Sequence, residues 1–427
     1  MPEQRQKVAV IGSGISGLAS AYFLQKKYDV TLYESNDYFG GHTNTVDITV
    51  DGITEAVDTG FLVFNRKTYP NLIALFDELD IESYDTDMSF GVSVNDGQIE
   101  WAGTNLNTVF AQRSNLLSIP FINMLRDILR FNKQAEVNLE ATLSSKISLG
   151  ELLKNGGYGR RFQEHYLIPM AAAIWSSSPR DILDFPASSF LRFCLNHSLL
   201  QVNDRPKWKT VKGGARSYVK KILSTISDKR LNAAVQKVER QQDKVAVTAN
   251  GSAEYFDEVV FATHAPTSLS LLNDASEKET NILSQFRYQA NRAVLHTDTR
   301  LLPRNSNVWS AWNYIGTQGQ GVEDQGAVCV SYLLNQLQRL ESKVPVIVTL
   351  NPAIEPDASK VLRSFDYEHP IFDQRAIDAQ AALAEIQGKN RVWFAGAWSG
   401  YGFHEDGLKS ALRVAAAIGV APHWMKL

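Results

Sequence analysis

The residues with the clearest chemical meaning stand near the N-terminus. Gly12-Ser13-Gly14-Ile15-Ser16-Gly17 spaces its glycines as a diphosphate cradle does, and Glu34 follows 22 positions after Gly12. In such a cradle Gly12 permits a tight turn and Gly14 lets backbone approach a pyrophosphate. Gly17 lets a helix pack closely on a strand. The helix that follows offers the free N–H groups of its first turn to the diphosphate. Glu34 is positioned to accept hydrogen bonds from a ribose diol and to repel a 2′-phosphate, which disfavours NADP. Near the other end, His404-Glu405-Asp406-Gly407 joins a proton carrier to two carboxylates. His369, in Tyr367-Glu368-His369-Pro370, is the other histidine with a candidate site role. His165, His197 and His264 lack a partner at helical spacing and are expected to be structural.

These residues need elements to hold them. Val8–Ile11 is a β-branched run expected to form a buried parallel strand. Residues 18–27 suggest a helix and 30–34 a second strand. That strand–turn–helix–strand order turns a common glycine pattern into a dinucleotide-binding unit. A second glycine pair follows in Gly40-Gly41-His42-Thr43, and then Asp58-Thr59-Gly60-Phe61, a turn able to lie against an isoalloxazine ring. A nicotinamide fold has no need of that second pair, so a flavin dinucleotide is expected. Residues 258–263 and 392–396 suggest further buried strands, and a last helix is expected over about 408–418.

Taken in order, these motifs resemble the flavin-containing amine oxidase superfamily, which includes monoamine oxidases, protoporphyrinogen oxidase and phytoene-desaturase-like enzymes. The resemblance implies an α/β protein: a Rossmann-type FAD-binding domain with an interleaved α+β substrate domain. It implies FAD contacts from Gly12, Gly14, Ile15, Ser16, Gly17, Glu34, Gly41, His42, Thr43, Gly60, Phe61, Thr263 and Gly396, with Val235 beside the adenine. His42 replaces the family's usual arginine. Ala397 replaces an acid, so Glu405 or Asp406 is expected to take over its contacts. No cysteine lies near the C-terminal flavin motif, so non-covalent FAD is expected. The lysine that the family places facing flavin N5 corresponds to Arg292, and one aromatic of its substrate-sandwiching pair to His404. Both are therefore candidate catalytic groups, and both argue against an ordinary amine oxidase. Gly41-His42-Thr43 and His404–Gly407 resemble a bacterial subgroup associated with fatty-acyl modification. Hydride removal from an apolar or lipid substrate is the expectation. An amine or polyamine oxidase and a catalytically silent flavin-binding partner protein are the alternatives.

The whole chain sets outer bounds. With 43 basic and 46 acidic side chains in 427 residues, the net charge of −3 leaves no electrostatic footprint for nucleic acid. Cys194 and Cys329 are the only cysteines, in no metal-ligand spacing. No metal site or disulfide framework is expected, and a reducing cytoplasm fits. The uncharged run 8–25 approaches the length of a membrane span, but its glycines and the lack of a cleavage site argue against a span or signal peptide. Over 116–131, Leu117, Phe121, Met124, Leu125, Ile128 and Leu129 recur at helical spacing. A core-facing stripe is the first reading, and a face peripheral to the inner membrane, where lipid enters, is the second. The uncharged stretch 168–175 suits either an apolar pocket or plain core. Segments 1–60, 205–262 and 389–427 are expected to build the FAD domain, and 61–204 and 263–388 the substrate domain. Oligomeric state leaves no mark on the sequence.

Overall fold

Strands with no polar face need cover on both sides, and the first strand has it. Lys7–Ile11 buries Val8, Ala9 and Val10 completely at the centre of a five-stranded parallel sheet. The strand order is Asp228–Arg230, Asp29–Tyr33, Lys7–Ile11, Glu258–Phe261, Val392–Phe394. This computed structural model describes residues 5–201, 205–316 and 328–426. An antiparallel sheet of Val235–Arg240, Val245–Ala249 and Ser252–Phe256 packs against one face of the parallel sheet, with Val238, Val245 and Val247 meeting Ala9, Ile11 and Phe261. On the other face lie the helices Ile15–Leu24 and His404–Ala417. The second of these starts earlier than its composition suggests, because the Asp406 carboxylate accepts the Phe403 N–H and closes the first turn. The two helices approach closely at Gly407, where a Cβ would stand 2.7 Å from Ile15 Cγ2. Ser16 Oγ donates to the Gly407 carbonyl there (2.9 Å). The N-termini of both helices are thereby held side by side.

The second body is a seven-stranded mixed sheet, ordered Val361–Ile371, Arg287–His296, Ile347–Leu350, Cys329–Leu333, Trp312–Ile315, Phe90–Val94, Ile99–Ala102. Its core takes in the helices Ile119–Thr142, Ile168–Trp175 and Ala187–Asn196. The core-facing stripe is only partly realised: on the long helix Phe121 and Met124 are buried while Leu129 is exposed, and Leu117 lies before the helix, exposed at the end of the turn Arg113–Leu117. Residues 61–79 pack with the parallel sheet, since Phe61, Phe64, Leu72, Leu75 and Phe76 share a core with Val10, Leu18 and Leu408. A boundary at 60 therefore runs through a shared core, and one at 204 lies beside residues outside the described set. No helix among the described residues is long and apolar enough to cross a membrane.

Candidate flavin and substrate site

One continuous cavity borders both bodies. On the parallel-sheet side it is lined by backbone. Gly12 adopts φ +98°, and a Cβ there would meet the Ala262 carbonyl oxygen at 2.8 Å. A Cβ on Gly17 would stand 1.8 Å from the Gly12 carbonyl oxygen, whereas one on Gly14 would meet open space. Ser13, Gly14, Ile15 and Ser16 border that space. The helix Ile15–Leu24 has no side-chain cap and no carboxylate in its first turn, so its terminal N–H groups are left to an anion. Gly41, at φ +57°, stands so close that a Cβ would lie 3.1 Å from Gly14 Cα. Ser13 Oγ accepts the Gly40 N–H (3.1 Å), tying the two glycine motifs together. Glu34 organises the rest: Oε2 accepts from Ser13 N–H (3.0 Å) and Oγ–H (2.6 Å), and Oε1 from Asn36 N–H (2.9 Å). Glu34, Ser35 and Asn36 all border the cavity.

Histidines and aromatics line the middle. His42 stacks on Tyr367 (4.9 Å between centroids) and lies 5.2 Å from His369. Burial, reinforced by the neighbouring His369, holds it well below the usual histidine range. Its Nε2 has no hydrogen-bond partner among the described residues. A buried nitrogen left unsatisfied at a cavity wall fits a polar group of a ligand. The Phe61 N–H donates to the His42 carbonyl (2.8 Å), and at Gly60 a Cβ would meet that same oxygen at 2.2 Å. Phe61 in turn stacks on His404, 3.7 Å between centroids. His404 Nε2 meets Thr43 Oγ1 (2.9 Å) and Tyr218 OH (3.3 Å), and burial pushes its pKa down to about 3. Thr43 thus stands behind His404, outside the cavity lining. Thr263 and Gly396 border the cavity; Thr263 Oγ1 meets Ser268 Oγ (2.8 Å), and Gly396 N–H donates to Ser410 Oγ (2.9 Å).

On the side of the second body the wall is apolar: Met88, Ile174, Trp175, Phe193, Leu199 and Leu350 face Trp312 and Tyr332. Of the uncharged stretch 168–175, Ile174 and Trp175 line the cavity, while Ile168 and Ala171–Ala173 are buried in the core. Two histidines expected to be structural border the cavity as well. His197 stacks on Phe193 (4.0 Å) and burial pushes its pKa to about 4. His264 stacks on Tyr288 (4.2 Å) and its Nδ1 meets Glu368 (3.1 Å). Neither carries a local sequence signal, because strand and helix packing alone turns it inward. His165 is buried away from the cavity lining, and its carbonyl accepts the Trp101 indole N–H (3.2 Å).

Besides Thr43 and Gly17, which back the lining, four expected site residues stand elsewhere. Arg292 lies on Arg287–His296 with its side chain exposed and paired with Glu355 (2.5 Å). Strand alternation sends its neighbour Asn291 inward instead, where Nδ2 meets His369 Nδ1 (2.9 Å). Glu405 turns from the cavity to the helix Pro70–Glu78. Its Oε1 accepts from Asn71 N–H (3.1 Å) and its Oε2 from Leu72 N–H (2.9 Å), so it satisfies the free donors at that helix start. Asp406 closes its own helix by accepting the Phe403 N–H (3.0 Å), and burial raises its pKa to about 6. Val235 begins its strand at the edge of the adjoining core and does not border the cavity.

A parallel dinucleotide-type sheet with two glycine motifs back to back, opening on an aromatic cavity under a mixed sheet, defines a flavin oxidoreductase. The chain belongs to the flavin containing amine oxidoreductase family, whose model matches residues 15–419. Among characterised proteins it is similar to a carotenoid phi-ring synthase of Streptomyces griseus, 33% identical over 143 residues, 31% of this chain and 26% of that protein. It is also similar to a 1-hydroxycarotenoid 3,4-desaturase of Flavobacterium sp. (strain P99-3), 48% identical over 44 residues, 10% of this chain and 9% of that one. The matched stretches span about a quarter and a tenth of those relatives. In fold, it resembles the CLA-producing fatty acid isomerase from P. acnes, with TM-score 0.67 at 14% identity over 97% of this chain and 99% of that one. Putrescine oxidase bound to putrescine gives TM-score 0.67 at 16% identity over 97% and 98%.

Proposed function

We propose that the flavin is FAD, held non-covalently, and that the enzyme removes hydride from an apolar chain, a fatty-acyl or other lipid group. FAD is supported by a cradle whose open Gly14 face, uncapped helix start and Glu34-ordered loop suit a diphosphate and its ribose. Non-covalent attachment is supported by Cys194 and Cys329, both buried and neither bordering the cavity. Bound there, FAD supplies the hydride acceptor. The substrate class rests on one observation, the chemical make-up of the far wall. It is aliphatic and aromatic, and no lysine or arginine borders the cavity among the described residues. Of its two carboxylates, Glu34 is bound by Ser13 and Asn36 at the cradle, and Glu368, largely exposed, accepts from His264. Against the apolar wall a protonated amine would meet no carboxylate, at a desolvation cost that an alkyl chain does not bear. The two carotenoid-directed relatives point to apolar substrates as well.

The chain's own groups then act by position. His404, His369 and His197 are neutral near pH 7, held so by burial, and serve as oriented hydrogen-bonding and stacking surfaces. Phe61 covers one face of His404, while Thr43 and Tyr218 fix its Nε2, so the ring presents a single orientation. Trp175, Phe193 and Phe403 close together and keep water from the reacting carbon. The test is anaerobic flavin reduction followed by absorbance, with fatty-acyl phospholipid in mixed micelles beside benzylamine and putrescine. Bleaching by the lipid alone is expected. Rapid bleaching by an amine would replace this reading with amine oxidation, and no bleaching by any substrate would replace it with a silent flavin carrier.

A further inference from the structure

Among the described residues the three aliphatic side chains most exposed to solvent, Leu117 (91% exposed), Leu106 (77%) and Ile119 (74%), fall within one short segment that also holds Leu116 (51%). They project from the ends of turns: Leu106 begins Leu106–Val109, Leu116 and Leu117 end Arg113–Leu117, and Ile119 begins the long helix Ile119–Thr142. Phe110 packs on Phe121 (5.9 Å), which brings the first turn alongside the start of that helix and makes the four residues one patch. The same segment departs from the rest of the chain in charge. No carboxylate occurs between Glu100 and Asp127, although acidic residues outnumber basic ones overall. Arg113 and Arg126 are exposed within it, and neither forms an ion pair among the described residues.

We propose that this patch, Leu106, Leu116, Leu117 and Ile119 flanked by Arg113 and Arg126, seats the protein on the surface of an anionic phospholipid bilayer. The shape favours a bilayer over a second protein. Leu117 touches almost nothing of its own chain, and single leucines standing off a surface are buried best by a medium that moulds around them. Two unneutralised guanidiniums beside them match anionic headgroups, with each cation near such a surface adding to the attraction. The patch is also one helix away from the cavity: Ile119–Thr142 packs on Ala187–Asn196, whose Phe193 lines it. Seating on a bilayer does not depend on the proposed reaction and is tested without substrate, so the two can fail separately.

The experiment is co-sedimentation of the flavin-loaded protein with vesicles of phosphatidylcholine alone and of phosphatidylcholine with one quarter phosphatidylglycerol. Wild type is expected to pellet with the anionic vesicles and much less with the neutral ones. Leu116→Ser/Leu117→Ser, at exposed positions where folding is not at stake, should lower the bound fraction about tenfold at unchanged thermal stability and flavin content. Arg113→Gln/Arg126→Gln should remove the preference for phosphatidylglycerol. Wild type remaining in the supernatant with both vesicles, or leucine variants that pellet as wild type does, would overturn the proposal. So would a solution dimer by sedimentation velocity that the leucine variants abolish, since a second copy would then cover the patch.

Discussion

The two sides of the cavity are built in different ways. At the cradle, the wall is backbone: Gly17 stands against Gly12 and Gly41 against Gly14, and Ser13 and Glu34 tie the loops together. At the far wall, side chains from Met88 to Leu350 meet mainly through packing, with Trp175 against Phe193 at 4.6 Å and Phe193 against Phe403 at 5.1 Å. Where backbone meets backbone, as at Gly12 and Gly17, there is no room for an added atom, whereas packed side chains accept exchange at similar volume. The cofactor end is therefore rigidly specified and the substrate end adjustable, which is how one fold can serve many substrates.

The strongest way to break this contrast is a matched pair of substitutions. Gly17→Val should yield no soluble flavin-bearing protein, because its Cβ would stand 1.8 Å from the Gly12 carbonyl oxygen and neither backbone can retreat. Leu199→Met, on the opposite wall, should cost under about 1.5 kcal/mol and keep the flavin. Visible absorbance and thermal melting read both; equal effects would show that the two sides are not built differently.

Glu34→Ala comes next in size. It removes the acceptor of the Ser13 and Asn36 donors and leaves them unpaired beside the ligand. Bonds to a charged group are worth about 1.5–3 kcal/mol each, so flavin binding should weaken by roughly tenfold to a hundredfold. A fluorescence titration of apoprotein measures it, and an unchanged Kd would mean that the carboxylate does not shape the cradle.

These contrasts also explain what the sequence disclosed. The cradle was legible because Gly12 to Glu34 is a local unit whose spacing carries the geometry. The far wall was not, because His197, His264, Trp175 and Leu350 become neighbours of the cavity only through packing between distant elements. Glu405 illustrates the limit: a carboxylate at a helix start beside a glycine motif suggests a cofactor contact, yet it reaches the helix start at Asn71 and Leu72. Four of the five parallel strands were legible because each carries a buried apolar run beside a motif, whereas the short edge strand Asp228–Arg230 and the packing of residues 61–79 onto the cofactor side depend on tertiary contacts such as those of Phe64 and Phe76.

His404 joins the two sides, and a smaller effect should separate its roles. His404→Asn is expected to retain flavin while slowing flavin reduction about tenfold, as befits a lost orienting group. Its pH signature is separate. His404 has a folded pKa of about 3 against an unfolded value of 6.5. The unfolded chain therefore binds more protons below pH 6.5, and the stability present above that value is lost as pH falls towards 3. At pH 5 the loss is about 2 kcal/mol from this ring. Buried Asp58 and Asp406, raised to about 6, run the other way and lose stability as pH rises from 4 to 6. The variant should thus melt with a shallower decline than wild type between pH 6.5 and 5. Identical declines would mean that the ring titrates freely in the folded protein.

The smallest expected effect is at Arg292. Its guanidinium is 43% exposed and its partner Glu355 is 74% exposed, on the face of the strand opposite the buried Asn291. A pair so open to solvent contributes about 0–1 kcal/mol and is screened by salt. Arg292→Ala should leave flavin content, flavin reduction and melting temperature close to wild type. Asn291→Ala, one residue away, should do more. Asn291 is buried, and its amide meets His369 Nδ1, the Gln289 carbonyl and Asn351 Nδ2. Its loss strands those buried groups, a cost of about 1–3 kcal/mol for an unsatisfied partner, and frees a ring that borders the cavity. Measuring flavin reduction in both variants fixes which face of the strand looks inward. A larger loss from Arg292→Ala than from Asn291→Ala would shift the register by one residue and bring a fixed positive charge back to the substrate wall.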